Sequence, residues 1–464
     1  MSLSDYERND SEKTRLIDGN NARRPGAHWA SEPTALPTQA LDEDDIDPLD
    51  GWESPGVAAA PSTADDLAQD TPTVDATVAR QPIPSSWLDE AVEAMPHECD
   101  RPDSWAPDSR ACAPQKDRSP QPALRAPQKG ARHGCLSALL WIVMLVVFGF
   151  MALRCLPAAY ANGRAVPELA SFVPLMLIPA AVCLALAILW HRRVLIVVAA
   201  FALAVMGWWH KGYFIPTARV SGAAQAAAAA TADPSDSVAR IMTLNTRNGN
   251  ADAQEIVTLC RSRNVEVLCL QELSDGFADE LSQAGIDELL PYHVVSLGAS
   301  EVNNGGRNGI WTLAPMDNVS RNLLSIETSS MPAASIVVGD RTLRFVSVHP
   351  NSPVRGAQGL WASGLSVIES LAEYDHNYVI MGDFNSTWDH ERLRSLLGDA
   401  FVDAGEQSGQ GFHMTYPSSS KIPSLIEIDH IVYAKNAGVV VSDLDAVAIS
   451  GSDHRALIAT LEVQ

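Results

Sequence analysis

Residues 382–385, Gly-Asp-Phe-Asn, close the apolar, β-rich run Tyr378–Met381 with a carboxylate and an amide two positions apart. Alternation along an extended chain puts Asp383 and Asn385 on one side. Gly, Asp and Asn are also turn formers, so this stretch alone reads as a turn as readily as half of a site. Five further stretches repeat the pattern. MTLNTR reaches Asn245, LCLQE reaches Gln271 and Glu272, and RFVSVH reaches His349. IEIDH holds Asp429 and His430, and the loop SGSDH presents Ser452, Asp453 and His454 before a last apolar run. Carboxylates, imidazoles and amides gathered on one rim are groups that move protons and stabilise developing charge. One such strand end is commonplace. Six in order, if neighbouring strands end on the same rim, describe a site. His430 points away from Asp429 by the same alternation and reads as structural.

These ends need strands to carry them. From 238 to 464, short β-rich runs such as VARIMTLNTR, VEVLCLQEL, LRFVSVH, IEIDHIVYA and HRALIATLEV are interspersed with helical patterns. ADAQEIVTLCRSRN and GLWASGLSVIESLAEY space their apolar residues at helical intervals. Many strands with a few helices predict an α/β (α+β) four-layer sandwich, two packed β-sheets flanked by helices. Its length is ample for one core. Cys260 and Cys269 fall on a predicted helix and strand as core residues. The seven cysteines form no CxxC pair and no disulfide framework.

The preceding half is different in kind. Residues 1–133 read as a disordered, acidic, Pro-rich tail, with 24 acidic against 8 basic residues in the first 115. Three transmembrane helices are expected within 135–215, over 135–153, 169–190 and 194–209, each preceded by too much polar chain to be a signal peptide. Lys116, Arg118, Arg125, Lys129 and Arg132 precede the first, and Arg192 and Arg193 lie between the second and third. That bias places the tail in the cytoplasm and the C-terminal domain outside a cell membrane crossed several times; if the third run does not span, the C-terminal domain lies in the cytoplasm instead. Residues 216–237, rich in alanine, read as a linker to a catalytic domain at 238–464.

The ordered set LNTR, LQE, SVH, GDFN, IDH and SDH resembles the endonuclease/exonuclease/phosphatase superfamily. The resemblance covers 238–464 and nothing before it. It implies hydrolysis of phosphate esters with Mg²⁺ or Mn²⁺, hard cations that suit carboxylate oxygens. Residue by residue, it implies that Glu272 is a metal ligand, supported by Asn245 and Asp453. His454 would face the scissile phosphate, oriented by Asp429. Asp383 would position and deprotonate water or protonate the leaving group, and Asn385 would donate to a phosphate oxygen. His349 matches a second histidine of deoxyribonuclease-like members. Arg307, in the loop NNGGRNGI, is a candidate for holding a substrate phosphate, since arginine favours phosphate.

The substrate is less legible. Residues 239–464 carry 28 acidic and 14 basic residues. That balance argues against tight nonspecific DNA binding. A nucleic acid, a phospholipid and a small phosphoester all remain open as substrates, and no protein partner is identifiable. Two other functions stay open: a catalytically silent, membrane-anchored binding protein of the same fold, and an adaptor acting through its acidic tail.

Overall fold

The computed structural model describes residues 134–163, 165–296, 306–418 and 421–464, all within one compact unit. The tail expected over 1–133 lies outside the described residues.

Apolar helices come first. They are α1 (Gly134–Arg154), α2 (Leu177–Leu189, led by a 3-10 turn at Pro174–Met176) and α3 (Arg193–Trp209). They pack together through Met144 and Val147 of α1, Ala180, Cys183 and Ala187 of α2, and Ala199, Ala202 and Met206 of α3. Small residues allow this close backbone approach. The outer faces leave Leu139, Ile142, Leu145, Val182, Leu189, Val197 and Phe201 exposed.

The expectation of three full spans is corrected. Among the described residues, only Cys135–Arg154 is long and apolar enough to cross a membrane; Pro174–Leu189 and Arg193–Trp209 are shorter. The run beginning at 169 is cut because Pro174 and Pro179 lack the N–H groups needed to continue a helix upstream, so 171–173 form turns. At 17 residues, α3 extends only about 26 Å, short of a ~30 Å hydrocarbon core.

The far ends of α1 and α3 meet on one acid. Arg154 Nη1 donates to Asp389 Oδ1 at 2.5 Å, and His210 Nε2 lies 3.0 Å from Asp389 Oδ2. The Asp389 side chain is fully buried. Trp388 Nε1 donates to the Trp209 carbonyl, Arg394 to the Arg154 carbonyl, and His390 Nε2 lies 2.7 Å from the Pro167 carbonyl. The predicted linker is also built into the domain. Its α4 (Gly222–Ala230) is capped by Ser221, whose Oγ accepts from Ala224 N, and buries Ala224 and Ala228 against Val238 and Val440.

The remaining chain forms two six-stranded sheets. The first contains β1 (Val238–Asn245), β2 (Val267–Leu273), β3 (Tyr292–Val295), β4 (Arg307–Thr312), β11 (Val439–Ala448) and β12 (Arg455–Val463), in the order β11-β12-β1-β2-β4-β3. The second contains β5 (Asp317–Ser320), β6 (Ala333–Val338), β7 (Arg341–Val348), β8 (Tyr378–Asp383), β9 (Phe401–Asp403) and β10 (Asp429–Ala434), in the order β5-β6-β7-β8-β10-β9. Each sheet has one parallel pair near its middle, β1 with β2 and β7 with β8; the other pairs are antiparallel.

The sheets pack face to face through Ile241, Val267, Cys269, Val346, Met381 and Leu457. One polar stitch crosses this interior: Gln271 Nε2 donates to Thr243 Oγ1 at 3.1 Å and to Ser347 Oγ at 3.0 Å. Outside the first sheet lie α5 (Ala253–Arg263) and α6 (Phe277–Ala284), burying Ile256, Val257, Cys260, Phe277 and Leu281. Asp252 caps α5 by accepting from Glu255 N, and Asn264 ends it at a φ of 54°. Outside the second sheet lie α7 (Gln358–Glu369) and α8 (Glu391–Leu397), burying Trp361, Leu365, Leu393 and Leu396. The two mixed sheets flanked by helices agree with the sequence reading. The short edge strands β5 and β9 and the helices α6 and α8 were not anticipated.

Removing Asp389 would leave the buried Arg154 guanidinium without its carboxylate. Asp389→Ala is expected to cost about 3–5 kcal/mol in denaturant unfolding of the full chain in detergent.

Candidate active site

The strand ends β1, β2, β7, β8 and β10, with the turn before β12, open onto one cavity of about 510 Å³. At the heart of it, Asn245 Nδ2 donates to Glu272 Oε1 and Asp383 Oδ2, each at 3.1 Å. Asn245 Oδ1 accepts from Arg247 N, and Glu272 Oε2 accepts from Asn248 N. His349 Nε2 lies 3.6 Å from both Glu272 Oε1 and Asp383 Oδ2. His454 Nδ1 lies 2.8 Å from Asp429 Oδ2, and its Nε2 lies 3.7 Å from Asp383 Oδ2.

Local backbone explains these placements. The register of β2 against β4 shifts between Leu270 and Leu273, and within that irregularity Glu272 takes a φ of 55°. Asn385 takes 48°. Such left-handed residues outside glycine are costly and cluster at functional sites. Gly306 approaches the Glu272 backbone so closely that a Cβ there would collide with it. Gly382 has a φ of 153°, and a Cβ on it would run into the carbonyl of Val348 on the adjacent parallel strand. Asn385 N then donates to Asp383 Oδ1 at 2.8 Å, and Asn385 Nδ2 to the Pro350 carbonyl. Ser452 Oγ donates to the Asn245 carbonyl and accepts from His454 N, tying the SGSDH turn to β1.

The electrostatics are set by burial. Asp383 is raised from the ordinary carboxylate range by burial and by Asp429, against the opposing pull of His454, His349 and the Asn385 N–H. Burial pulls His454 down, but Asp429, Asp383, the hydrogen bond to Asp429 and Asp453 together carry it up to about 10. At neutral pH His454 is therefore an imidazolium that donates from Nδ1 to Asp429.

Two clusters among the described residues could hold a cation by proximity: Asp383–Asp429–His454, and Asp403–Glu427–His430 behind β10. In the second, His430 Nδ1 lies 2.6 Å from Asp403 Oδ2 and Nε2 lies 2.8 Å from the Ser386 carbonyl. Both ring nitrogens are engaged with acceptors, leaving no lone pair for a metal. Burial lowers the His430 pKa, but Asp403, their hydrogen bond, Glu427 and the Ser386 carbonyl raise it to about 9. This cluster is a buried ion pair beneath the GDFN turn. Beside the first, the Glu272 carboxylate, bridged to Asp383 by the Asn245 amide, suits a hard divalent cation, and the buried Asp429 Oδ1 of the cluster has no hydrogen-bond partner. Asn245 presents its amide nitrogen to the two acids, which orients them.

Of the sequence-predicted residues, Glu272, His349, Asp383, Asn385, Asp453 and His454 line the cavity. Asn245 and Asp429 lie directly behind it, bonded to lining residues. Arg307 does not line it; its Nη2 pairs with Asp275 Oδ1 at 2.8 Å. Sequence reasoning passed over Arg247 and Asn248, which line the cavity, although they directly follow Asn245 and Thr246. Tyr416, the aromatic before Asp429 that the family resemblance also carries, lines it too, whereas Glu168, Ser171 and Phe172 from the connection between α1 and α2 were missed. No local pattern marks those three.

The model of the Endonuclease/Exonuclease/phosphatase family matches residues 242–454, the stretch that holds all six strand-end motifs. No curated protein matches the sequence. Among solved structures, D. rerio TDP2 complexed with a single-strand DNA product is 18% identical, with a TM-score of 0.40, over 49% of this chain and 100% of that one. The human Nocturnin catalytic domain with bound sulfate is 17% identical, with a TM-score of 0.37, over 49% and 96%. A beta toxin mutant from Staphylococcus aureus with bound magnesium ions is 13% identical, with a TM-score of 0.36, over 48% and 99%.

Gly382→Ala is expected to lower stability by about 2–3 kcal/mol in denaturant unfolding, because β7 and β8 must separate to admit the methyl group. His430 supplies a pH test. Its folded pKa is raised, so its stabilisation is complete below the unfolded value near ~6.5 and is lost as pH rises through about 9. The stability gap between wild type and His430→Gln should shrink by on the order of 3 kcal/mol from pH 6 to pH 10.

Proposed function

We propose that this chain is a membrane-anchored, divalent-metal-dependent phosphoesterase acting through the cavity at the joined sheet ends. The convergence of Glu272, Asp383 and the His454–Asp429 pair, from strand ends of both sheets, carries this reading. The family match over the same residues supports it.

Glu272 would hold Mg²⁺ or Mn²⁺, with Asp453 adding negative charge at the cavity wall. When bound, the cation supplies polarisation of a phosphoryl oxygen and stabilisation of the leaving oxygen. Burial keeps Asp383 more basic than a free carboxylate, which suits it to take a proton from attacking water. The His454 imidazolium, held in place by Asp429, donates from Nε2 to charge developing on phosphate. The second N–H of the Asn385 amide remains for a phosphate oxygen after the first is given to Pro350. His349 Nε2 lies between Glu272 and Asp383, facing both carboxylates.

Membrane anchoring rests on α1, whose apolar 20-residue span Cys135–Arg154 reaches the length a crossing needs. It also rests on the exposed large side chains around the helical bundle, which water would disfavour. The C-terminal ends of α1 and α3 both reach Asp389, so the turn at Arg192–Arg193 lies at the opposite end of the bundle from the catalytic domain. That arrangement supports a cytoplasmic N-terminus and an external catalytic domain at the cell membrane.

Full-length protein in detergent micelles should hydrolyse bis(p-nitrophenyl) phosphate with Mg²⁺ or Mn²⁺ and stop on adding EDTA. Asp383→Asn should lower kcat on the order of 10³-fold with the fold retained. A folded Asp383→Asn protein with the wild-type rate would contradict the reading.

A further inference from the structure

The connection between α1 and α2 forms one wall of the catalytic cavity. Glu168, Ser171 and Phe172 line it together with Glu272, Asp383 and His454. This wall is held in register with the reacting groups. His390 Nε2 binds the Pro167 carbonyl, and Arg154, at the start of the connection, pairs with Asp389. Asp389 and His390 follow Asp383 by only six and seven residues. The Ser171 hydroxyl is turned back onto the Pro167 carbonyl at 3.3 Å. That leaves Glu168 and Phe172 as the wall's recognition groups.

Their chemistry is directional. The cavity already contains Glu272, Asp383 and Asp453, against the lining cation Arg247 and the two histidines His349 and His454. A metal ion and one phosphate would use the charge near His454. The wall then offers a further carboxylate beside an aromatic ring, with Tyr416 also lining the cavity. A carboxylate next to an aromatic face attracts a cation and repels a second phosphate.

We infer that Glu168 and Phe172 are specificity-determining residues that select phosphoesters whose ester group carries positive charge over uncharged or polyanionic ones. This rests on the phosphoesterase reading and narrows its substrate class. The negative balance of the domain points the same way, against an extended polyanion.

The test uses two compounds of nearly equal shape, phosphorylcholine and 3,3-dimethylbutyl phosphate. The second replaces the quaternary nitrogen with carbon. Binding is measured by calorimetry on the full chain in detergent with Mg²⁺, in an Asp383→Asn background that keeps both esters intact. The expected result is a preference for phosphorylcholine of about 5-fold, abolished by Glu168→Gln and reversed by Glu168→Lys. Phe172→Leu, which keeps apolar bulk without the ring, should weaken phosphorylcholine alone. Equal affinities in the parent, or a preference unchanged by Glu168→Gln, would overturn the inference while leaving the phosphoester site standing. Binding of neither compound would remove the phosphoester site itself, and the inference with it.

Discussion

One amide holds two acids that belong to different sheets. Asn245 at the end of β1 donates to Glu272 of β2 and to Asp383 of β8, and the geometry of the site follows from this junction. Carboxylates brought this close and this deep repel one another and lose their hydration. The protein answers with nearby donors and cations: the Asn245 amide, the His349 ring, the His454 imidazolium and the Asn248 N–H. Glu272 and Asn385 are held at positive φ, and Gly382 and Gly306 give the backbone room to approach. Such strain persists only where the surrounding fold over-determines it. Here two packed sheets and the Gln271 stitch provide that rigidity.

The same loop that leaves the GDFN turn reaches the apolar helices. Asp389 receives Arg154 from α1 and His210 from beyond α3, so the two-sheet domain and the helical bundle share a buried ion-pair centre. A fragment beginning after His210 would leave Asp389 without either partner. The domain's chemistry and the segment proposed to anchor it are therefore one physical unit. The cavity wall drawn from 168–172 is the direct consequence.

Much of this site was legible because strand alternation is a strong local signal. Period two separates Asp429 from His430, as β10 does, whereas Asp383 and Asn385 share the cavity because Asn385 turns left-handed just past the end of β8. The two-sheet architecture was legible for the same reason, since its long strands are apolar runs. Other features depend on contacts far apart in sequence. Nothing near Glu168 or Phe172 signals that they reach residues more than 200 positions later. Arg307 had the right chemical type, but the fold gives it Asp275 as a partner. Hydropathy marks the second apolar run as a full span because it ignores how Pro174 and Pro179 shorten a helix, whereas the third is short by its own 17-residue length. The strands β5 and β9 are only four and three residues long, too short for alternation to register.

The proposed phosphoesterase requires Glu272 to hold a divalent cation in the cavity. Titration of Mn²⁺ into the full-length protein in detergent, followed by electron paramagnetic resonance, tests it without reference to any substrate. The account predicts a bound-ion signal that Mg²⁺ displaces and that Glu272→Gln abolishes in a folded protein. A signal absent from the wild type, or undiminished in folded Glu272→Gln, would contradict it.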